Sequence, residues 1–214
     1  MDKLKLFILS ENRKKVLSSF VFWKNEFYLA GGTGLALQIG HRDSVDFDFF
    51  SNNPFDPNKM IERLSKIFGQ NLLKVTQIEK NTLSILLNSE IKISFMTYDY
   101  PLLEPLISTE YLNIASISDI ACMKLSTIMQ RSALKDYVDL YEIMKIYSLE
   151  QLILFAKKKY PMIDSPVILK SLSYLEDIID EPLIYKNEKL KPSLDVLKQF
   201  FQDEVKKYIN KILK

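Results

Sequence analysis

Glycine is scarce and unevenly spread: of 5 in 214 residues, four (Gly31, Gly32, Gly34 and Gly40) fall within ten consecutive positions. That excludes a collagen-like repeat and a Gly-rich linker, and it concentrates backbone freedom at one place. A single cysteine, Cys122, excludes an internal disulfide, and a single histidine, His41, excludes a zinc site of several His or a paired-His centre. A small buried residue on a helix is the reading for Cys122, since nothing supports a thiol dyad with His41. No apolar run approaches the roughly 18 residues a membrane span needs. Met1 to Lys15 carry only Leu6 to Leu9 before Glu11 and Arg13, so no secretion signal is predicted and a soluble, cytoplasmic protein is expected. Charge of one sign is lacking too. With 29 Lys and Arg against 27 Asp and Glu, the net charge of +2 gives no global basic field of the kind a duplex-DNA binder carries. Nucleic acid would have to meet a local patch.

The chain has the composition of a globular protein, 47% hydrophobic and 26% charged, and the length of one domain or of one domain with a helical extension. Val16, Leu17, Phe20 and Trp23 predict a helix over 11–23. Phe27 to Ala30 is a short apolar run stopping at Gly31-Gly32, and Leu35, Ala36, Leu37 and Ile39 suit a short helix that Gly40 ends as a left-handed cap. Ser44 to Phe50 alternates like a half-buried strand. Asn58 to Phe68 reads as an amphipathic helix ended by Gly69, and Leu72 to Ile78, Thr82 to Leu87 and Ile91 to Tyr98 read as a three-stranded meander. Beyond Ser116 the pattern is helical, at 117–131, 135–147, 149–159, 166–179 and 194–212. An αβ domain over 1–112 and a helical domain over 113–214 are expected. The tail 181–214, with eight Lys against five acids, reads most simply as a solvated helix face.

The chemistry concentrates between Tyr28 and Phe50. On a strand, residues two apart share a face, so Asp46 and Asp48 are expected side by side, with Val45, Phe47 and Phe49 packed on the other side. Two carboxylates so close repel, and a divalent cation between them relieves the repulsion; hard oxygen ligands suit Mg²⁺ with substrate phosphates. Gly31 and Gly32 before a helix allow phosphate oxygens to approach the backbone N–H groups of a positive helix end, and Thr33 adds a hydroxyl. Taken singly, the glycines also suit a tight turn and the acids a solvated strand face; their joint occurrence is what points to a site.

Gly31-Gly32-Thr33 followed by His41-Arg42-Asp43-Ser44-Val45-Asp46-Phe47-Asp48 resembles the glycine and Asp-x-Asp signature of polymerase-β-like nucleotidyltransferases. The Arg-x-Ser-x-Asp-x-Asp form is similar to the AbiEii toxin family of minimal nucleotidyltransferases. Asp119 to Lys124, Gln130-Arg131 and Lys135-Asp136-Tyr137-Val138-Asp139 are similar to that family's lysine motif and its Lys-Asp-x-x-Asp motif. The resemblance spans about residues 28–142. It implies an α+β fold: a mixed sheet with flanking helices, followed by a C-terminal helical bundle. It further implies Mg²⁺-dependent transfer of a nucleoside monophosphate from an NTP to an acceptor hydroxyl such as the end of tRNA. The protein would be the toxin of a toxin–antitoxin or abortive-infection system, restrained by a cognate antitoxin. Asp46 and Asp48 would bind the metal, and Gly31, Gly32, Thr33, Arg42 and Ser44 the nucleotide phosphates. Lys124 and Arg131 would neutralise phosphate charge, and Asp136 or Asp139 would orient or deprotonate the acceptor.

The residues bear separate readings. Lys124 interrupts the apolar stripe Ile117, Ile120, Ala121 and Ile128 and needs a partner: nucleotide phosphate, solvent, or a core carboxylate. Asp136 and Asp139 near a helix start also suit the helix dipole, with Asp139 paired to Lys135. Tyr98, Tyr100 and Tyr111 either stack on a base or pack at the core and rim. Related enzymes carry a third carboxylate on a later strand, whereas here Ser94 stands at that place, with Glu90 and Asp99 only at the ends of the run. Serine is no general base at neutral pH. Three accounts stand: Asp136 or Asp139 supplies the carboxylate, two acids suffice, or binding persists without catalysis. The first is favoured because those acids belong to the motif. An antibiotic-type small-molecule nucleotidyltransferase and a non-catalytic nucleotide-binding protein are the rival functions.

Overall fold

The computed structural model describes residues 4–178, 182–185 and 191–213; the last residue of the 166–179 helix and parts of the 181–214 tail lie outside them. The chain forms two compact units, Met1–Pro101 with Pro105–Ser116, and Leu102–Glu104 with Ile117–Lys214.

The first unit is built on a mixed seven-stranded sheet of order β3-β4-β5-β2-β1-β7-β6. Its strands are β1 (Tyr28–Ala30), β2 (Phe47–Ser51), β3 (Leu73–Glu79), β4 (Thr82–Leu87), β5 (Ile91–Thr97), β6 (Ile107–Ser108) and β7 (Asn113–Ile114). The meander is present: β3, β4 and β5 pair antiparallel. β2 then runs parallel to β5 and antiparallel to β1, while β7 adds to β1 in parallel. β6 and β7 were not expected, because two-residue strands are too short to show a period.

The helices of this unit are α1 (Glu11–Val16), α2 (Gly31–Ile39) and α3 (Pro57–Phe68). Glycines close two of them: Gly40 caps α2 at φ 71° and Gly69 follows α3 at φ 90°. The helix expected over 11–23 is in fact split, with α1 giving way to a 3-10 helix at Leu17–Trp23. Leu17, Phe20 and Trp23, all buried, lie three apart, and only a three-residue turn keeps such a row on one side. That row meets Phe47, Phe49 and Phe95 from the sheet, with ring centroids 4.8 to 5.7 Å apart, and joins a core that includes Leu29, Ile93, Met60 and Leu64. Alternation along the strands therefore turns the even-numbered residues Asp48 and Ser94 to the opposite face.

The second unit contains α4 (Ile117–Ile128), α5 (Leu134–Ile143), α6 (Leu149–Lys159), α7 (Ser165–Ser173) and α8 (Leu194–Ile212). α8 docks aromatic side chains on α5: Phe201 lies 5.8 Å from Tyr137 and Phe200 4.8 Å from Tyr141. α6 starts at a capping box made by Ser148 and Gln151. At its other end, fully buried Lys159 meets fully buried Asp119 of α4 at 2.7 Å. The Asp119 carboxylate also accepts the backbone N–H groups of Leu103 (3.0 Å) and Glu104 (3.4 Å), which ties that short segment to the helices. No described helix is long and apolar enough to cross a membrane.

Candidate active site

α2 begins directly at the end of β1. Its N-cap position is Ala30, which gives no side-chain cap, and the helix end is partly positive. Against this end lies the guanidinium of Arg42, only 5% exposed, with Nη1 donating to the Asp43 carbonyl at 2.9 Å. The approach is close enough that a Cβ on Gly32 would stand 2.6 Å from Arg42 Nη2 and 3.1 Å from Ser44 Oγ. Gly31, at φ +63°, sits where a Cβ would meet Asp48 Oδ2 at 3.0 Å. Both glycines are thus required by what comes near them. The start of α2 thus carries both signs of charge, with the Arg42 guanidinium close to Gly32 and the Asp48 carboxylate close to Gly31.

Thr33 organises the return strand. Its buried hydroxyl lies 2.8 Å from Ser44 Oγ and also contacts the Asp46 carbonyl. A carbonyl only accepts, so the Thr33 proton goes to Asp46 and the Ser44 hydroxyl donates to Thr33. These bonds explain one departure from expectation: β2 starts at Phe47, and the backbone of residues 41–46 is held by side chains instead of a ladder. Asp46 therefore precedes the strand, and Val45, expected in the packed layer with Phe47 and Phe49, is 49% exposed. Asp46 and Asp48 are both half-buried. Asp48 lies in a register row that crosses four strands, Ala30, Asp48, Ser94 and Ser84. Ser94 is the in-register neighbour of Asp48 and lies 3.1 Å from Ser84 Oγ, both serines being buried. Where a third carboxylate was expected beside Asp48, the row carries a pair of hydroxyls.

The helical unit resolves the partner of Lys124. Its ammonium lies 2.7 Å from Asp136 Oδ1 and 2.6 Å from Asp139 Oδ2, and all three side chains are buried. Arg131 closes the cluster, with Nε at 3.1 Å and Nη2 at 3.0 Å from Asp136 Oδ2, while its side chain stays 54% exposed. Both oxygens of Asp136 are committed to cations. Asp136 and Asp139, the acids expected to orient or deprotonate the acceptor, are thus buried and paired with cations in this structure. Lys124, expected at the nucleotide phosphates, here meets the core carboxylates, and Arg131 is the member of the cluster that faces solvent.

The family described as "Nucleotidyl transferase AbiEii toxin, Type IV TA system" matches residues 15–206. The chain belongs to the AbiEii nucleotidyltransferase toxin family. An uncharacterized protein of Aquifex aeolicus is 41% identical over 194 residues, covering 86% of this chain and 89% of that one. MenT4, a nucleotidyltransferase toxin of Mycobacterium tuberculosis, shares the fold at a TM-score of 0.58 with 14% identity, over 91% of this chain and 80% of that one. JHP933 of Helicobacter pylori does so at 0.52 with 17% identity, over 95% and 97%. The AbiEii chain is a nucleotidyltransferase, with an NTP as substrate and an antitoxin as the partner its family implies.

Among the described residues of the AbiEii chain, no three His, Cys, Asp or Glu gather as a metal cage. Two half-buried carboxylates remain, a set that fits Mg²⁺, which keeps waters and takes its other oxygens from substrate phosphates. Cys122 stands apart from this chemistry: burial pushes its thiol up to about 12, with Lys159 opposing the rise and Asp119 adding to it. One contributor escaped the sequence reading. Arg13 of α1 donates through Nη1 to the Ser44 carbonyl and through Nε to Ser10 Oγ at 3.2 Å. No sequence motif links a residue near the start of the chain to a turn thirty positions later.

Proposed function

We propose that this toxin transfers a nucleoside monophosphate from a Mg²⁺-bound NTP to an acceptor hydroxyl at the end of tRNA. The observation that supports the reading is the meeting at the start of α2 of two closely approached glycines, the buried Arg42 guanidinium and the Asp48 carboxylate, a setting suited to a nucleotide phosphate and its cation. Gly32 and the first-turn N–H groups hold the phosphates, with Arg42 on one side, and Thr33 fixes Ser44 and Asp46 around them. Asp46 and Asp48 hold Mg²⁺, which when bound neutralises the charge that develops on the transferring phosphate.

The acceptor oxygen attacks the α-phosphorus in line, the bond to the bridging oxygen breaks, and pyrophosphate leaves while the acceptor proton passes to solvent. Phosphoryl transfer through a loose transition state depends on positioning and charge more than on a strong base. That accounts for a serine at position 94 and for two carboxylates sufficing. Arg131, oriented by Asp136, serves as a solvent-facing anion contact, and Lys124 serves to hold Asp136 and Asp139. A few lysines of the tail add salt-sensitive contacts to RNA.

The test incubates each labelled NTP with Mg²⁺ and total cell RNA, comparing the natural chain with Asp46→Ala/Asp48→Ala. Label in a tRNA-sized band that disappears in the double variant is expected, together with relief of growth arrest by the antitoxin. Label transferred to a small hydroxyl or amine compound and none to RNA overturns the acceptor. No pyrophosphate release from any NTP overturns the reading.

A further inference from the structure

We infer that Arg13 is a positioning residue of this site, holding the Ser44–Asp46 turn so that the Asp46 carboxylate faces the metal. The inference rests on Asp46 and Asp48 being the metal ligands. Arg13 lies two residues before the family match begins at residue 15, so nothing in the comparison assigns it a role.

The geometry of α1 serves this contact. Ser10 caps the helix by accepting the Arg13 N–H at 3.4 Å, and the same Ser10 Oγ accepts Arg13 Nε at 3.2 Å. Backbone and side chain of one residue are thereby fixed by one hydroxyl. With Nε committed, the planar guanidinium has a set direction, and its Nη1 reaches the Ser44 carbonyl. A carbonyl accepting from arginine fixes the Ser44–Val45 peptide plane, and the Asp46 carbonyl is fixed by Thr33. The segment that carries Asp46 is thus held at both ends by side chains from outside it. Val45 between them is 49% exposed and not part of the buried core, so the hydrogen bonds carry most of the positioning. A guanidinium does this better than an ammonium, because its fork donates in two fixed directions at once.

The experiment compares the full chain with Arg13→Met, Arg13→Lys and, as a control on the same helix, Lys14→Met. Three readouts are taken: pyrophosphate release, thermal unfolding, and binding of Mn²⁺ with a non-hydrolysable NTP, followed by the electron-spin resonance of free Mn²⁺. In Arg13→Met, kcat is expected to fall about tenfold or more, since small misplacements of a catalytic group carry costs of that order. KM for the NTP should stay within about twofold, because Arg42 and α2 hold the phosphates without Arg13, and Mn²⁺ should bind several-fold more weakly. Arg13→Lys restores part of both losses, and Lys14→Met changes neither. Unchanged kcat and Mn²⁺ affinity in Arg13→Met, with the natural chain active, overturn the inference and leave the proposed function standing. A loss matched by a collapsed melting temperature and not recovered by lysine overturns it as well, making the contact merely structural. If the natural chain neither binds Mn²⁺ through Asp46 and Asp48 nor releases pyrophosphate, the proposed function itself falls, and the inference falls with it.

Discussion

Adding one methyl group at Gly32 tests the anion site directly. A Cβ there would stand 2.6 Å from Arg42 Nη2, whereas ordinary contact begins at 3.4 Å, so the guanidinium must retreat by about 0.8 Å. The end of an arginine usually moves cheaply, but this one is 5% exposed and tied to the Asp43 carbonyl, and Ser44 Oγ at 3.1 Å blocks the neighbouring direction. Overpacking of this kind costs about 1–3 kcal/mol. Alanine in place of glycine within α2 returns about 0.5–1 kcal/mol, so the net loss of stability is expected to be at most about 2.5 kcal/mol. Function is more exposed, because a misplacement near 1 Å can cost about 100-fold. Gly32→Ala is therefore expected to melt within several degrees of the natural chain while kcat/KM for pyrophosphate release falls about 30- to 100-fold. Arg42→Ala alone should lose a charge-assisted phosphate contact of about 1.5–3 kcal/mol. Because both substitutions act on the same guanidinium, Gly32→Ala/Arg42→Ala should be no worse than Arg42→Ala. Natural kcat/KM in Gly32→Ala, or fully additive losses in the double variant, would refute the placement of phosphate between α2 and Arg42.

Replacing Ser94 by aspartate puts a third acid in register with Asp48. The variant should be destabilised in EDTA and recover with Mg²⁺, with turnover at or above the natural level; equal melting temperatures with and without Mg²⁺ would count against the metal site. Asp119→Ala leaves buried Lys159 and two backbone donors without their carboxylate, so a loss of about 3–5 kcal/mol is expected. Asp119→Leu/Lys159→Met should lose markedly less, and equal urea midpoints for the two variants would contradict this. Cys122 has its thiol raised from 9.0 to about 12 by burial, so its neutral form is favoured on folding. Its contribution to stability is complete below about pH 9 and is lost as pH rises toward about 12. Urea midpoints should fall over that window less in Cys122→Ala than in the natural chain. Iodoacetamide at pH 8 should label only unfolded chains, and rapid native labelling would overturn the burial argument.

The pieces legible in the sequence were those with a local cause. Gly40 and Gly69 end helices because the left-handed region suits glycine, and the β3–β5 meander alternates over enough residues to show its period. Asp48 was readable because Phe47 and Phe49 flank it in a true strand. Asp46 was misplaced by the same rule, since the alternation continues through Val45 although the backbone there answers to Thr33 and Arg13. Lys124 had to find a partner, as its apolar surroundings required, but the choice among phosphate, solvent and carboxylate was fixed by the packing of α4 against α5. Arg13 was out of reach for the opposite reason: nothing near it in the chain hints at Ser44.

The small excursion of Leu102–Glu104 bears on how such a protein can be divided or recombined. The chain leaves the sheet unit after Pro101, gives three residues to the helical unit, returns at Pro105, and leaves again after Ser116. No single cut separates the two units. A gene fragment ending near residue 112 would carry away the backbone donors that Asp119 accepts, and one beginning there would lack them. Neither half is a ready-made module, so exchange of helical units between related toxins would have to carry a discontinuous insert, and inheritance of the whole chain is the simpler course.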